Sequence, residues 1–163
     1  MEHNKQNPYL DFVQRTKEII SQYESFLGKQ ETKEKYEVTL LINCFVGLVL
    51  TPKEILYEDL KTEGAINKET WGISPNEILC SLDINKKENK SVYEITRHLR
   101  NSVSHCNFET FSNKEKVIDR ICFKDEFKET PTFESTINIA DLKKFALKLA
   151  DYFISKQETL MSK

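Results

Sequence analysis

The stretch Ser91-Val92-Tyr93-Glu94-Ile95-Thr96-Arg97-His98-Leu99-Arg100-Asn101-Ser102-Val103-Ser104-His105-Cys106 carries two patterns at once. At about 100° per residue, Val92, Ile95, Leu99, Val103 and Cys106 fall within roughly 60° of one another. Arg97, Arg100, Asn101, Ser104 and His105 fall on the opposite side, spread over about 140°. One helix, from about Ser91 to Ser104 or slightly beyond, is therefore expected to turn an apolar face to a bundle and an Arg/Asn/Ser/His face outward. Asn101 and His105 are four apart and hence neighbours, as are Arg97 and Asn101, and Arg100 and Ser104.

The elements around it are read from the same periodicities. Pro8 can open a first helix whose Phe12, Ile19, Tyr23 and Phe26 share a face, with Gly28 as its stop. A second helix is expected from about Thr32 to Val49, ended by Thr51-Pro52. Its C-terminal half is almost wholly apolar and predicts a core position, with Gly47 allowing close helix approach. Asn43 interrupts that apolar run. A buried amide there needs partners, so Asn43 either supports the outward-facing site of the third helix or bonds to neighbouring backbone. Tyr57 to Trp71 reads as polar and irregular. Ser74-Pro75-Asn76-Glu77 predicts the start of a short helix ending near Asp83, with Ser74 as cap and Glu77 three residues on. Asn85 to Lys90 reads as a loop. Val117–Phe123 and Phe133–Ile139 read as a small hairpin, separated by Lys124–Pro131. Leu142, Phe145, Ala146, Leu149 and Phe153 mark a last helix. The expectation is a mainly α fold: one domain over 1–163, with its core at about 9–154, built as a four- to five-helix bundle with a small β-hairpin before the C-terminal helix.

Composition bounds what such a fold can do. The chain has 163 residues, 39% hydrophobic and 31% charged, with four Gly and four Pro. That suits one compact helical domain and excludes a fibrous or disordered chain. A formal net charge of −2 excludes whole-surface binding of nucleic acid, so any such contact is local. Lys86, Lys87, Lys90, Arg97 and Arg100 lie close in sequence, as a binding patch or a solvated helix face. Cys44, Cys80, Cys106 and Cys122 lack metal-ligand spacing and read as free thiols in the core, as in a reducing cytosol. No apolar run is long enough to span a bilayer, and the polar N-terminus predicts no signal peptide. The location expected is cytoplasmic, with no membrane contact.

The outward face suits phosphodiester cleavage in RNA. RNA carries its own nucleophile, the 2′-hydroxyl. A histidine can accept its proton or donate one to the leaving 5′-oxygen. An arginine can hold phosphate oxygens and stabilise transition-state charge, and an asparagine can orient either group. No metal or other cofactor is called for. An exposed helix face can also carry Arg, Asn and His without function. Of the other aromatic and His residues, Trp71 and the tyrosines could stack on bases but read better as core, and His98 as a packing or hydrogen-bonding residue.

Arg100-Asn101-(three residues)-His105 resembles the signature of the HEPN superfamily, an arginine followed after four to six residues by a histidine, often with a polar residue directly after the arginine. The flanking Arg97 to Glu109 and the run Leu41 to Glu54 resemble a plasmid- and defence-associated HEPN subgroup, so that the likeness extends from about Tyr9 to Ile154. The resemblance implies a helical bundle that dimerises, with two motifs facing each other across one cleft. It also implies a metal-independent endoribonuclease leaving 2′,3′-cyclic phosphate ends, acting as a toxin or in anti-phage defence, with an antitoxin or defence-system protein as partner. On that likeness Arg100 binds phosphate, His105 is general acid or base, and Asn101 orients the site. Arg97 and Ser104 are candidate substrate contacts, and Asn43 a supporting residue. A glycine is implied directly after the histidine, where this chain has Cys106. The alternatives are a non-catalytic HEPN module that binds RNA or protein, and a structural helical domain without RNA contact.

Overall fold

The computed structural model describes residues 8–27, 37–51 and 54–161. The helix stop expected at Gly28, the second helix's start at Thr32, and Pro52 lie outside them. The chain divides into two compact units, one of residues 1–52 and 146–163, the other of residues 53–145.

In the first unit, α1 spans Pro8–Leu27 and α2 spans Glu37–Leu50. Leu41, Cys44, Phe45, Leu48 and Val49 of α2 are buried, at the i, i+3, i+4 spacing of one helix face. Gly47 is where α1 comes close: a Cβ there would lie 2.9 Å from Phe12 Cζ. On α1 Leu10, Asp11, Val13, Thr16 and Ile20 are buried, whereas Phe12, Ile19 and Phe26 are exposed. The face shared by Phe12, Ile19, Tyr23 and Phe26 is therefore only partly covered.

The second unit contains the motif helix. It opens with α3 (Glu54–Asp59), a 3₁₀ turn at Leu60–Glu63 and α4 (Lys68–Trp71), so the segment expected to be irregular is a series of short helical turns. Tyr57, Leu60, Ile66 and Trp71 anchor it in the core, and Trp71 packs 6.0 Å from Phe145. After a second 3₁₀ turn at Pro75–Glu77 come β1 (Ile78–Ser81), α5 (Val92–Ser104), β2 (Phe108–Ser112), β3 (Ile118–Phe127) and β4 (Thr130–Asn138). The last helix, α6 (Ile139–Met161), contributes residues to both units.

These strands overturn the expected helical bundle with a small hairpin. They form one four-stranded antiparallel sheet in the order β1-β4-β3-β2. Lys124–Pro131, expected to separate two short runs, is itself mostly strand: β3 and β4 pair from Arg120↔Asn138 to Phe127↔Thr130, and only Lys128-Glu129 turns, both with positive φ. The helix expected to follow Ser74 stops after one turn. Its capping box forms, yet Ile78–Ser81 pairs with β4 instead.

Alternation along β3 and β4 turns Ile121, Phe123 and Asp125 to the same side as Phe133, Ser135 and Ile137, and all six are buried. Here α5 packs against β3. Burying a ring such as Phe123 or Phe133 is worth about 2 kcal/mol. Among the described residues no helix is long and apolar enough to cross a membrane.

Candidate active site

Helix α5 is set by its ends. Ser91 Oγ accepts the Glu94 N–H (3.3 Å) as an N-cap. Val92, Ile95, Leu99 and Val103 are buried as the periodicity requires. The buried hydroxyls of Thr96 and Ser102 donate to carbonyls four residues back, at 2.7 and 2.8 Å. The helix closes at His105, its C-cap, with φ −98° and ψ 7°.

The residues of the polar face part ways. Arg97 Nε donates to Glu94 Oε2 (2.7 Å), and its Nη2 donates to Leu82 O (3.3 Å) and lies 3.1 Å from His98 Nε2. Asn101 Nδ2 donates to Asp125 Oδ2 (2.9 Å). Both are turned to the flanks of the helix and held there. Arg100, Ser104 and His105 stay at the surface, Arg100 half-buried and the other two exposed. Ser104 Oγ donates to Arg100 O (2.8 Å). Arg100 forms no ion pair among the described residues; its guanidinium lies over the Tyr57 ring, 5.2 Å from the centroid. Of the cations that lie close to it in sequence, Arg97 pairs with Glu94 and Lys90 with Glu88. Arg100 is thus a cation seated on an aromatic face.

His98 is fully buried and stacked on Phe133, with ring centroids 4.9 Å apart and planes 9° apart. Its Nδ1 donates to Asp125 Oδ2 (2.8 Å) and its Nε2 lies 3.0 Å from Leu82 O. It packs and hydrogen-bonds, as its position on the helix predicts. Trp71 is likewise core. Asn43, expected in an apolar interior, is exposed and lines a groove of the first unit with Ile19, Tyr23 and Phe26.

Two contributors escaped the sequence. Tyr57 sits in a stretch that looked irregular. Asp125 sits in one that looked like a loop, although extending the Ile121-Phe123 alternation by two residues would have turned it inward. Burial works against the Asp125 carboxylate, but the hydrogen bonds from His98 and Asn101 and the nearby Arg97 charge prevail, and its pKa is lowered. Burial raises the Tyr57 phenol pKa, and Arg100 opposes it only in part.

Cys106, expected to pack in the core, is exposed and left-handed, with φ 53°. It is the C′ residue of a Schellman turn, in which the Asn107 N–H donates to Ser102 O (2.7 Å) and the Cys106 N–H to Val103 O (3.2 Å). That is the physical reason for a glycine at this place. Cys44 and Cys122 are buried, and Cys80 is half-buried.

Among the described residues no group of three or more His, Cys, Asp or Glu side chains could hold a metal ion. A family model described as HEPN pEK499 p136 matches residues 1–160. No curated protein and no solved structure matches the chain.

Proposed function

The chain belongs to the HEPN pEK499 p136 family, and from that premise we propose that it is a metal-independent endoribonuclease working through Arg100 and His105, with Asn101 orienting the site. The observation that carries this is the state of Arg100, a half-buried guanidinium without a carboxylate partner among the described residues, five residues before an exposed histidine that caps the same helix.

Five residues on a helix amount to about 140° of rotation, so Arg100 and His105 of one copy approach a phosphate from two sides. A homodimer that sets two such helix ends against each other supplies both groups to one scissile bond. The RNA 2′-oxygen attacks phosphorus while its proton passes to one His105. The bond from phosphorus to the 5′-oxygen breaks, and that oxygen takes a proton from the second copy's His105. The products are a 2′,3′-cyclic phosphate and a free 5′-hydroxyl. Arg100 holds the non-bridging oxygens and counters their growing charge. Arg97 and Ser104 flank the phosphate path. We infer a cytoplasmic role in anti-phage defence or as a toxin, with a neutralising or activating protein as partner, from the likeness of the motif and its flanks to defence-associated members.

The test is cleavage of end-labelled RNA by the purified protein in excess EDTA, beside Arg100→Ala and His105→Ala. Cleavage with cyclic-phosphate ends, lost in both folded variants, is expected. Equal activity in all three would place the cleavage elsewhere. RNA retained without cleavage, and released by Arg100→Ala alone, would identify a phosphate-binding module instead.

A further inference from the structure

His105 is bracketed by two asparagines, each fastened to the same strand at consecutive residues. On one side, Asn101 Nδ2 donates to Asp125 Oδ2 at 2.9 Å. On the other, the Lys124 N–H donates to Asn107 O at 3.0 Å. Between these anchors the chain reverses, and the His105 N–H donates to Asn101 O at 3.0 Å. The Lys124 link is backbone to backbone and indifferent to side chains. The Asp125 link depends wholly on two of them.

Asp125 is an unusual choice for its place. It is 7% exposed, on a sheet face otherwise made of Ile121, Phe123, Phe133, Ser135 and Ile137. Removing a carboxylate from water is costly, and apolar residues often stabilise such a place as well or better. Here each oxygen is used. Oδ1 accepts the Glu126 N–H (3.0 Å), and Oδ2 accepts from His98 Nδ1 (2.8 Å) as well as from Asn101. One carboxylate thereby grips α5 at His98 and again one turn later at Asn101, immediately before the turn that presents His105.

We propose that Asp125 is a positioning residue for His105, acting through Asn101: it fixes the rotation of the last turn of α5, and so the angle at which the imidazole meets a phosphate held by Arg100. The use of that angle in cleavage rests on the ribonuclease assignment above. Arg100 is seated on Tyr57 rather than on Asp125. Loss of the clamp should therefore spare phosphate binding and harm the chemical step, where misplacement by about 1 Å can cost on the order of 100-fold.

The experiment uses the full chain with Asp125→Asn, Asn101→Asp, and the two together, which exchanges carboxylate and amide at constant charge. Each folded protein is assayed for kcat and KM on end-labelled RNA and for amide exchange at His105. Each single change is expected to lower kcat about 10- to 100-fold with KM within about threefold, and to speed exchange at the His105 amide. The exchanged pair should recover about tenfold in kcat over either single variant and restore protection. Folded single variants with wild-type kcat, a rise in KM alone, or an exchanged pair no better than either single would overturn the proposal. If the wild type cleaves no RNA, the ribonuclease assignment fails. Exchange alone then decides the clamp: unchanged His105 protection in both single variants sinks it, and protection lost in both and regained in the pair sustains it.

Discussion

Arg100 stands with its guanidinium carbon 5.2 Å from the centroid of the Tyr57 ring. Tyr57 is itself buried, on α3. A flexible cation that would otherwise sample many rotamers is thus given a platform that attracts it without neutralising it. Such contacts are worth about 0.5 to 2 kcal/mol. Tyr57→Leu keeps an apolar residue in place and removes the platform. We expect RNA binding to weaken severalfold, read as a raised KM, and stability to fall by about 1 to 3 kcal/mol in urea titrations.

The two histidines of α5 should separate cleanly. His105→Ala changes an exposed side chain and is expected to leave stability within about 0.5 kcal/mol of wild type while abolishing cleavage. His98→Ala opens a cavity against Phe133 and strips Asp125 of a donor, and should cost about 3 to 5 kcal/mol. Thermal unfolding beside an RNA assay distinguishes them. Comparable destabilisation by both would mean that His105 is structural.

Asp125 predicts a dependence on acid. Its carboxyl pKa is lowered in the folded chain relative to its ordinary value of about 3.9. The unfolded chain therefore binds the proton first as pH falls, and the stability that the ionised form contributes is complete above that value and lost as pH drops through the folded one. Asp125→Ala, which leaves His98 and Asn101 without their acceptor, is expected to cost about 3 kcal/mol near neutrality. The gap between wild type and variant should hold above about pH 5 and narrow below about pH 4. Urea titrations across that range check both signs.

Cys106 offers a change in the opposite direction. Holding a residue with a side chain at φ 53° costs about 1 kcal/mol, which glycine does not incur. Cys106→Gly should raise stability by up to about 1 kcal/mol, and Cys106→Val, β-branched at the same φ, should lower it by more than that. The thiol is exposed, so neither change disturbs the core.

Helix α5 was legible because its signal is local: the Val92-Ile95-Leu99-Val103 stripe lies within the helix itself. The sheet was not. Ser74 and Glu77 form the capping box that their spacing promises, but the box can only start a helical turn. Ile78–Ser81 follows the pairing offered by Phe133–Ser135, far along the chain. Strand preference is set by such neighbours more than by the residues themselves. In β2, Phe108-Glu109-Thr110-Phe111-Ser112 shows no alternation of burial, since only Phe108 is even partly covered, and there was no periodicity to find. Lys124-Asp125-Glu126 read as a loop because three charges in a row look solvated, yet Asp125 is the one that turns inward. Of the site, the residue types of Arg100 and His105 were plain, whereas the anchoring of Arg97 and Asn101 to Leu82 and Asp125 depends on tertiary placement that a helical projection cannot contain.

The strand order β1-β4-β3-β2 also sets a timetable. A ribosome that has just added His105 has made every residue of the motif and none of β3 or β4. Lys124 and Asp125 come later, and β1 waits longer still for its partner in β4. Pairings so distant in sequence form slowly, because a long loop must close before they are rewarded. A chain that ends before β3 therefore carries the motif residues without Lys124 and Asp125, and on the assignment proposed above its activity would arrive only with the completed sheet.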